Sequence, residues 1–177
     1  MQTTVLNLIG GPGIGKSTLA AKTYSEFKSK NVSCELVREF VKDWTWEERK
    51  VKPLDQLYLL GQQCYRESLL YGKVEYIITD SPLIMNGFYS EHYLSESYLT
   101  DSAIAFMSHS MRVYKELRYV NIILPRTKAY DTAGRFEDEE TAKSIDKEMV
   151  AFLDRYQLKY IELKNLNPLS FEFLGLT

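Results

Sequence analysis

The chain has 177 residues, 45% of them hydrophobic and 26% charged, with a formal net charge of −2. That is enough for one domain with a sizeable core, and no apolar run approaches membrane-spanning length. A slightly acidic balance without a basic block argues against tight, nonspecific nucleic-acid binding. Cys34 and Cys64 are isolated and read as buried thiols, not as a disulfide or a metal site.

In chain order, Thr4 to Ile9 reads as a first strand that leads directly into Gly10-Gly11-Pro12-Gly13-Ile14-Gly15-Lys16-Ser17. This is a complete phosphate-binding loop, G-x-x-x-x-G-K-S, between a strand and a helix. Its glycines let backbone N–H groups turn toward phosphate oxygens without a Cβ in the way. The helix over Ser17 to Ser29 presents its positive dipole end to the same oxygens. Lys16 supplies a mobile charge for the β and γ phosphates, and Ser17 a hydroxyl for magnesium. The nucleotide-binding set is therefore Gly11, Pro12, Gly13, Ile14, Gly15, Lys16, Ser17 and Thr18. The first residues leave no room for a signal peptide, so a cytoplasmic location is expected.

Ser33 to Val37 reads as a second strand ending at Arg38-Glu39, and Trp44 to Pro53 as a short helix or loop over the mouth. Leu54 to Tyr71 has a helical pattern stopped by Gly72, and Tyr76 to Thr79 is a short strand before Asp80-Ser81-Pro82. Tyr89 to Tyr98 is tyrosine-rich and is read either as a pocket border or as core cover. A helix follows over Leu99 to Glu116, a strand over Tyr119 to Leu124, a helix over Glu139 to Tyr156 and a last strand over Leu158 to Leu163. This alternation predicts a parallel sheet with helices on both faces, whose ligands bind at the carboxyl ends of the strands.

That rule gathers four segments at one rim: the phosphate loop, Arg38-Glu39, Asp80-Ser81-Pro82 and Pro125-Arg126. Asp80 at a strand end suits a magnesium ligand, with a turn or N-cap aspartate as the alternative. Glu39 suits acceptance of a proton from an attacking hydroxyl, with a surface ion pair to Arg38 or Lys42 as the alternative. Gln62 and Arg66 are four apart on one helical face, and the Gln62 or Gln63 amide suits a nucleobase edge, with exposed polar residues on an amphipathic helix as the alternative. Trp44 suits stacking on a base, with cover of the core as an equal alternative. Pro125 through Phe136 reads as a lid, in which Arg126 and Arg135 close over the transferring phosphate, with a surface loop of ordinary arginines as the alternative. Glu137 to Glu140 complement the next helix's N-terminus, and His92 and His109 read as structural.

Together these segments resemble the P-loop nucleoside and nucleotide kinases. The likeness is to the branch that holds the ribosylnicotinamide kinase domain of the NadR type and the thymidylate-kinase-like proteins, many of them bacteriophage-encoded. It is carried by Gly10 to Thr18, by Thr79-Asp80-Ser81-Pro82-Leu83, and by the run from Gly134 to Ala142. It covers nearly the whole chain. It implies an α/β, three-layer P-loop NTPase fold with a parallel five-stranded sheet in the order 2-3-1-4-5. The expectation is one kinase domain over 1–177 with a lid near 126–140. ATP and Mg2+ are the implied cofactors, and a nucleoside or nucleotide is the implied acceptor.

Glu39 and Trp44 look like the glutamate and tryptophan with which deoxynucleoside kinases meet their acceptor, and Gln62 or Gln63 like their base-reading glutamine. Ser81 departs from the pattern, because those kinases carry an arginine there. Acceptor phosphate contacts then fall to Arg38, Arg66 or the lid arginines. Related phage kinases act on 5-hydroxymethyluracil in DNA, so a DNA acceptor, in the host cytoplasm, stays open. An ATP-dependent switch acting on a protein partner is the rival class. No membrane partner is expected, and a homodimer is left open.

Overall fold

Strand β1 (Thr3–Ile9) is buried along its whole length, as a central strand of a two-sided sheet must be. Its side chains alternate. Leu6 and Leu8 enter one core cluster with Leu19, Ala20 and Phe27, while Ile9 enters another with Leu83, Leu99 and Phe152. The computed structural model describes residues 1–52, 55–95, 97–127 and 138–170, the side chain of Thr45 excepted.

The described elements follow in the order α1 (Lys16–Ser29), β2 (Cys34–Val37), α2 (Val41–Trp46), α3 (Asp55–Ser68), β3 (Tyr76–Thr79), α4 (Leu83–Leu94), α5 (Tyr98–Val113), β4 (Leu117–Ile123), α6 (Glu139–Arg155) and β5 (Tyr160–Glu162). The sheet order is β2-β3-β1-β4-β5, with every neighbouring pair parallel. It is the three-layer architecture expected from the sequence. Each fully buried Leu or Ile in these clusters contributes roughly 1.5–3 kcal/mol.

The register sets the rim. Thr79 lies level with Asn7 of β1 and with Val37 of β2, and Ile9 lies level with Ile123 of β4. Gly10, Arg38, Asp80 and Leu124 therefore all leave the sheet on one side.

Three readings change. Leu83 to Leu94 is a helix that the sequence did not announce, and the tyrosine-rich stretch belongs to it and to the start of α5. The two helices part at Ser95, which takes a left-handed φ of 56°. Helix α2 starts at Val41, ahead of Trp44. Helix α3 ends at Ser68, three residues before Tyr71, and Gly72 turns the chain with φ of 72°. The predicted lid falls mostly on residues 128–137, outside the described residues, and Arg135 with it.

Candidate active site

The phosphate loop is shaped by its backbone. Gly13 and Gly15 have φ of 77° and 111°, values that side chains strain to adopt, and Gly15 caps α1. The first helical hydrogen bond is donated by the Leu19 N–H to the Gly15 carbonyl at 2.9 Å. The turn before it leaves its N–H groups to face the loop. Ile14 is buried in the core, so that side chain anchors the loop. The Lys16 ammonium bridges the Gly10 and Gly11 carbonyls, at 2.5 and 3.0 Å. Ser17 and Thr18 are exposed.

Asp80 emerges from β3 only 5% exposed and accepts the Glu39 N–H on Oδ1 at 2.9 Å. That bond ties the exit of β2 to the exit of β3, beside the loop that ends β1. The donor set (ammonium, hydroxyl, carboxylate and loop amides) fits a magnesium-bound nucleoside triphosphate, whose ligands are hard oxygens. Among the described residues no cluster of three or more His, Cys, Asp or Glu could hold a metal by itself.

Beside the exit of β2, Arg38, Glu39, Asp43 and Arg66 line a cavity of about 460 Å³. Arg66 lies over the Phe40 ring, 4.7 Å from its centroid, and Nη1 donates to the Arg38 carbonyl at 3.4 Å. Trp44 is 5% exposed, stacked parallel to Tyr58 and covered by the Arg49 guanidinium at 3.5 Å. Little of its ring is left for a base, and of the two sequence readings the packing matches core cover.

Gln62 and Gln63 separate. Gln62 is half-buried, whereas Gln63 is buried, and its amide donates to Thr79 Oγ1 at 3.2 Å. The same Thr79 oxygen accepts the Ser81 N–H. Gln63 thus faces the sheet, not a ligand. Beyond it lies Glu67, fully buried, which accepts from Tyr71; the Tyr71 and Tyr119 hydroxyls lie 2.7 Å apart. Burial pushes the Glu67 carboxyl up to about 8, against the opposing effect of Tyr71 and Gln63.

Arg126, read from the sequence as a lid residue, is held between the phosphate loop and α6. Its Nε donates to Asp146 Oδ2 at 2.6 Å, and Nη2 donates to the Pro12 carbonyl at 3.0 Å. Asp146 Oδ1 accepts the Gly11 N–H at 2.7 Å. Sequence reasoning missed Asp146. Its signal was faint, one more acidic residue about two turns into a helix whose first turn is already acidic. His92 pairs with Glu148 at 2.7 Å and joins α4 to α6. No helix among the described residues is long and apolar enough to cross a membrane.

A parallel 2-3-1-4-5 sheet with this loop after β1 and a carboxylate after β3 defines the P-loop nucleotide-kinase-like fold. A family model described as AAA domain matches residues 5–167, and the chain belongs to that family. No protein of curated function matches the sequence significantly. Solved structures are similar in fold. The NadR protein in complex with NR is 16% identical with a TM-score of 0.64, covering 92% of this chain and 46% of its own. This chain therefore spans about half of that protein. The deoxyadenosine kinase from M. mycoides, with products dCMP and dCDP bound, is 18% identical with a TM-score of 0.57, covering 90% of each chain. Thymidylate kinase from Ehrlichia chaffeensis is 12% identical with a TM-score of 0.55, covering 99% of this chain and 97% of its own.

Proposed function

We propose that the protein is an ATP-dependent kinase that phosphorylates a nucleoside or nucleotide, a modified pyrimidine included. The observation that carries this reading is the Glu39 N–H bond to Asp80 Oδ1, which sets two carboxylate-bearing residues side by side at the phosphate-loop rim. Thymidylate kinase and deoxyadenosine kinase among the fold relatives, and the NadR protein solved with NR, support the acceptor class.

In this mechanism the loop amides and Lys16 would hold the triphosphate, and Ser17 and Asp80 would hold Mg2+, which when bound supplies positive charge against the phosphates. Glu39 takes the proton of the acceptor hydroxyl, whose oxygen forms the new bond to the γ phosphorus as the bond to ADP breaks. Arg135 is the residue proposed to close over the phosphoryl group. Arg38 and Arg66 line the cavity beside β2 and are the residues proposed to meet the acceptor.

The test is transfer from γ-labelled ATP to nucleosides, nucleoside monophosphates, nicotinamide riboside, and duplex DNA with and without 5-hydroxymethyluracil. Label in one free acceptor supports the reading. Label in the modified DNA alone points to a kinase of bases within DNA. Label found only as free phosphate points to a nucleotide-driven switch. Glu39→Gln is expected to lower kcat at least about 100-fold with ATP affinity nearly unchanged. Equal losses in both would make Glu39 structural.

A further inference from the structure

Behind the phosphate loop, α6 makes a contact that the phosphoryl-transfer reading does not use. The two Asp146 oxygens are divided between the Gly11 amide, at 2.7 Å, and Arg126 Nε, at 2.6 Å. Arg126 completes the ring by donating from Nη2 to the Pro12 carbonyl at 3.0 Å, with the Ala142 carbonyl at 3.4 Å. The fit is tight. A Cβ built on Gly11 would lie 2.7 Å from Asp146 Oδ1, 2.8 Å from the Ala142 carbonyl and 3.2 Å from Arg126 Nη2. Only a glycine lets the loop sit this close to α6. Both charged side chains are largely shielded, with 13% and 22% exposure.

We infer that Asp146 and Arg126 form a neutral brace that positions the rear of the phosphate loop, and that Arg126 serves this brace and not the γ phosphate. The inference rests on the reading that the loop holds ATP. Electrostatics makes it testable. Asp146 places a carboxylate beside a loop built for phosphates, and this is tolerable only while Arg126 cancels the charge. Removing Arg126 alone leaves that anion to repel the nucleotide. Removing both charges relieves the repulsion, and an asparagine at 146 still offers an oxygen to the Gly11 amide.

The experiment is a double-mutant cycle on ATP·Mg2+ affinity, by calorimetry, with Arg126→Gln, Asp146→Asn and the double variant. R126Q is expected to weaken binding about tenfold, and D146N and the double variant about threefold each. A double variant as weak as R126Q or weaker would overturn the brace and return Arg126 to direct phosphate contact. A second readout is hydrogen exchange of the Gly11 amide, expected to speed up about tenfold or more in Asp146→Ala. Unchanged protection would overturn the inference even if R126Q failed to fold. A wild-type protein that does not bind ATP would overturn brace and kinase reading together. Binding without transfer to any acceptor would overturn the acceptor reading alone.

Discussion

Glu67 lies one turn beyond Gln63 on the inner face of α3, and its Oε1 has no hydrogen-bond partner among the described residues. Its folded carboxyl holds its proton up to about 8, well above the ordinary value of 4.5. The unfolded chain loses that proton first. The stability this group contributes is therefore complete below about pH 4.5 and drains as pH rises toward 8, by a few kcal/mol in order of magnitude. Glu67→Gln is expected to unfold at higher urea than wild type at pH 8, with the gap closing near pH 5. Parallel urea midpoints from pH 5 to 8 would refute a buried, protonated Glu67. The same face explains the two glutamines. One step along a helix turns the side chain by roughly 100°, so Gln62 and Gln63 look alike in a sequence and face different surroundings in the fold.

Helix α4 shows why one element escaped the sequence. Leu83, Ile84, Met85, Gly87, Phe88 and Ser90 are all buried. A helix apolar on nearly every side has no amphipathic stripe to detect. Helix α6, with Ile145, Met149 and Phe152 on one face and Asp138 capping it through the Thr141 N–H, was plain. The α4–α5 contact depends on Gly87, where a Cβ would stand 2.6 Å from Thr100 Cα. Gly87→Ala must push the two helices apart, and a loss of about 1–3 kcal/mol in urea unfolding is expected. Gly61→Ala in α3, whose Cβ would meet nothing within 4 Å, is the control and is expected to be neutral or to gain up to about 1 kcal/mol. Equal effects at the two sites would refute the close α4–α5 packing.

At the scale of the whole molecule, the loop, the β2 and β3 exits and α6 meet only because parallel strands all deliver their carboxyl ends to one side. A ligand that binds this assembly and not the unfolded chain raises its stability by mass action. ATP·Mg2+ at 100 times its Kd is expected to add about 2.7 kcal/mol and to raise Tm by several degrees. Lys16→Ala is expected to keep the Tm of the ligand-free protein while losing that increment and all phosphoryl transfer. A K16A protein that ATP still stabilises as much as wild type would refute the role given to Lys16.

The amino-acid sequence by itself determined the phosphate loop, the alternation of strands and helices, and the rim to which Arg38, Glu39, Asp80 and Arg126 belong. Those features are local. A glycine pattern, an apolar period or a charged residue at a strand end needs only its neighbours to be read. The tertiary structure alone decided which way side chains turn once elements pack. It put Gln63 against Thr79, folded Trp44 under Arg49 and against Tyr58, and drew Arg126 back to Asp146 and Pro12. Asp146 and Gly11 are 135 residues apart. A contact of that span depends on helix packing and sheet register together, and no short window of the chain carries either.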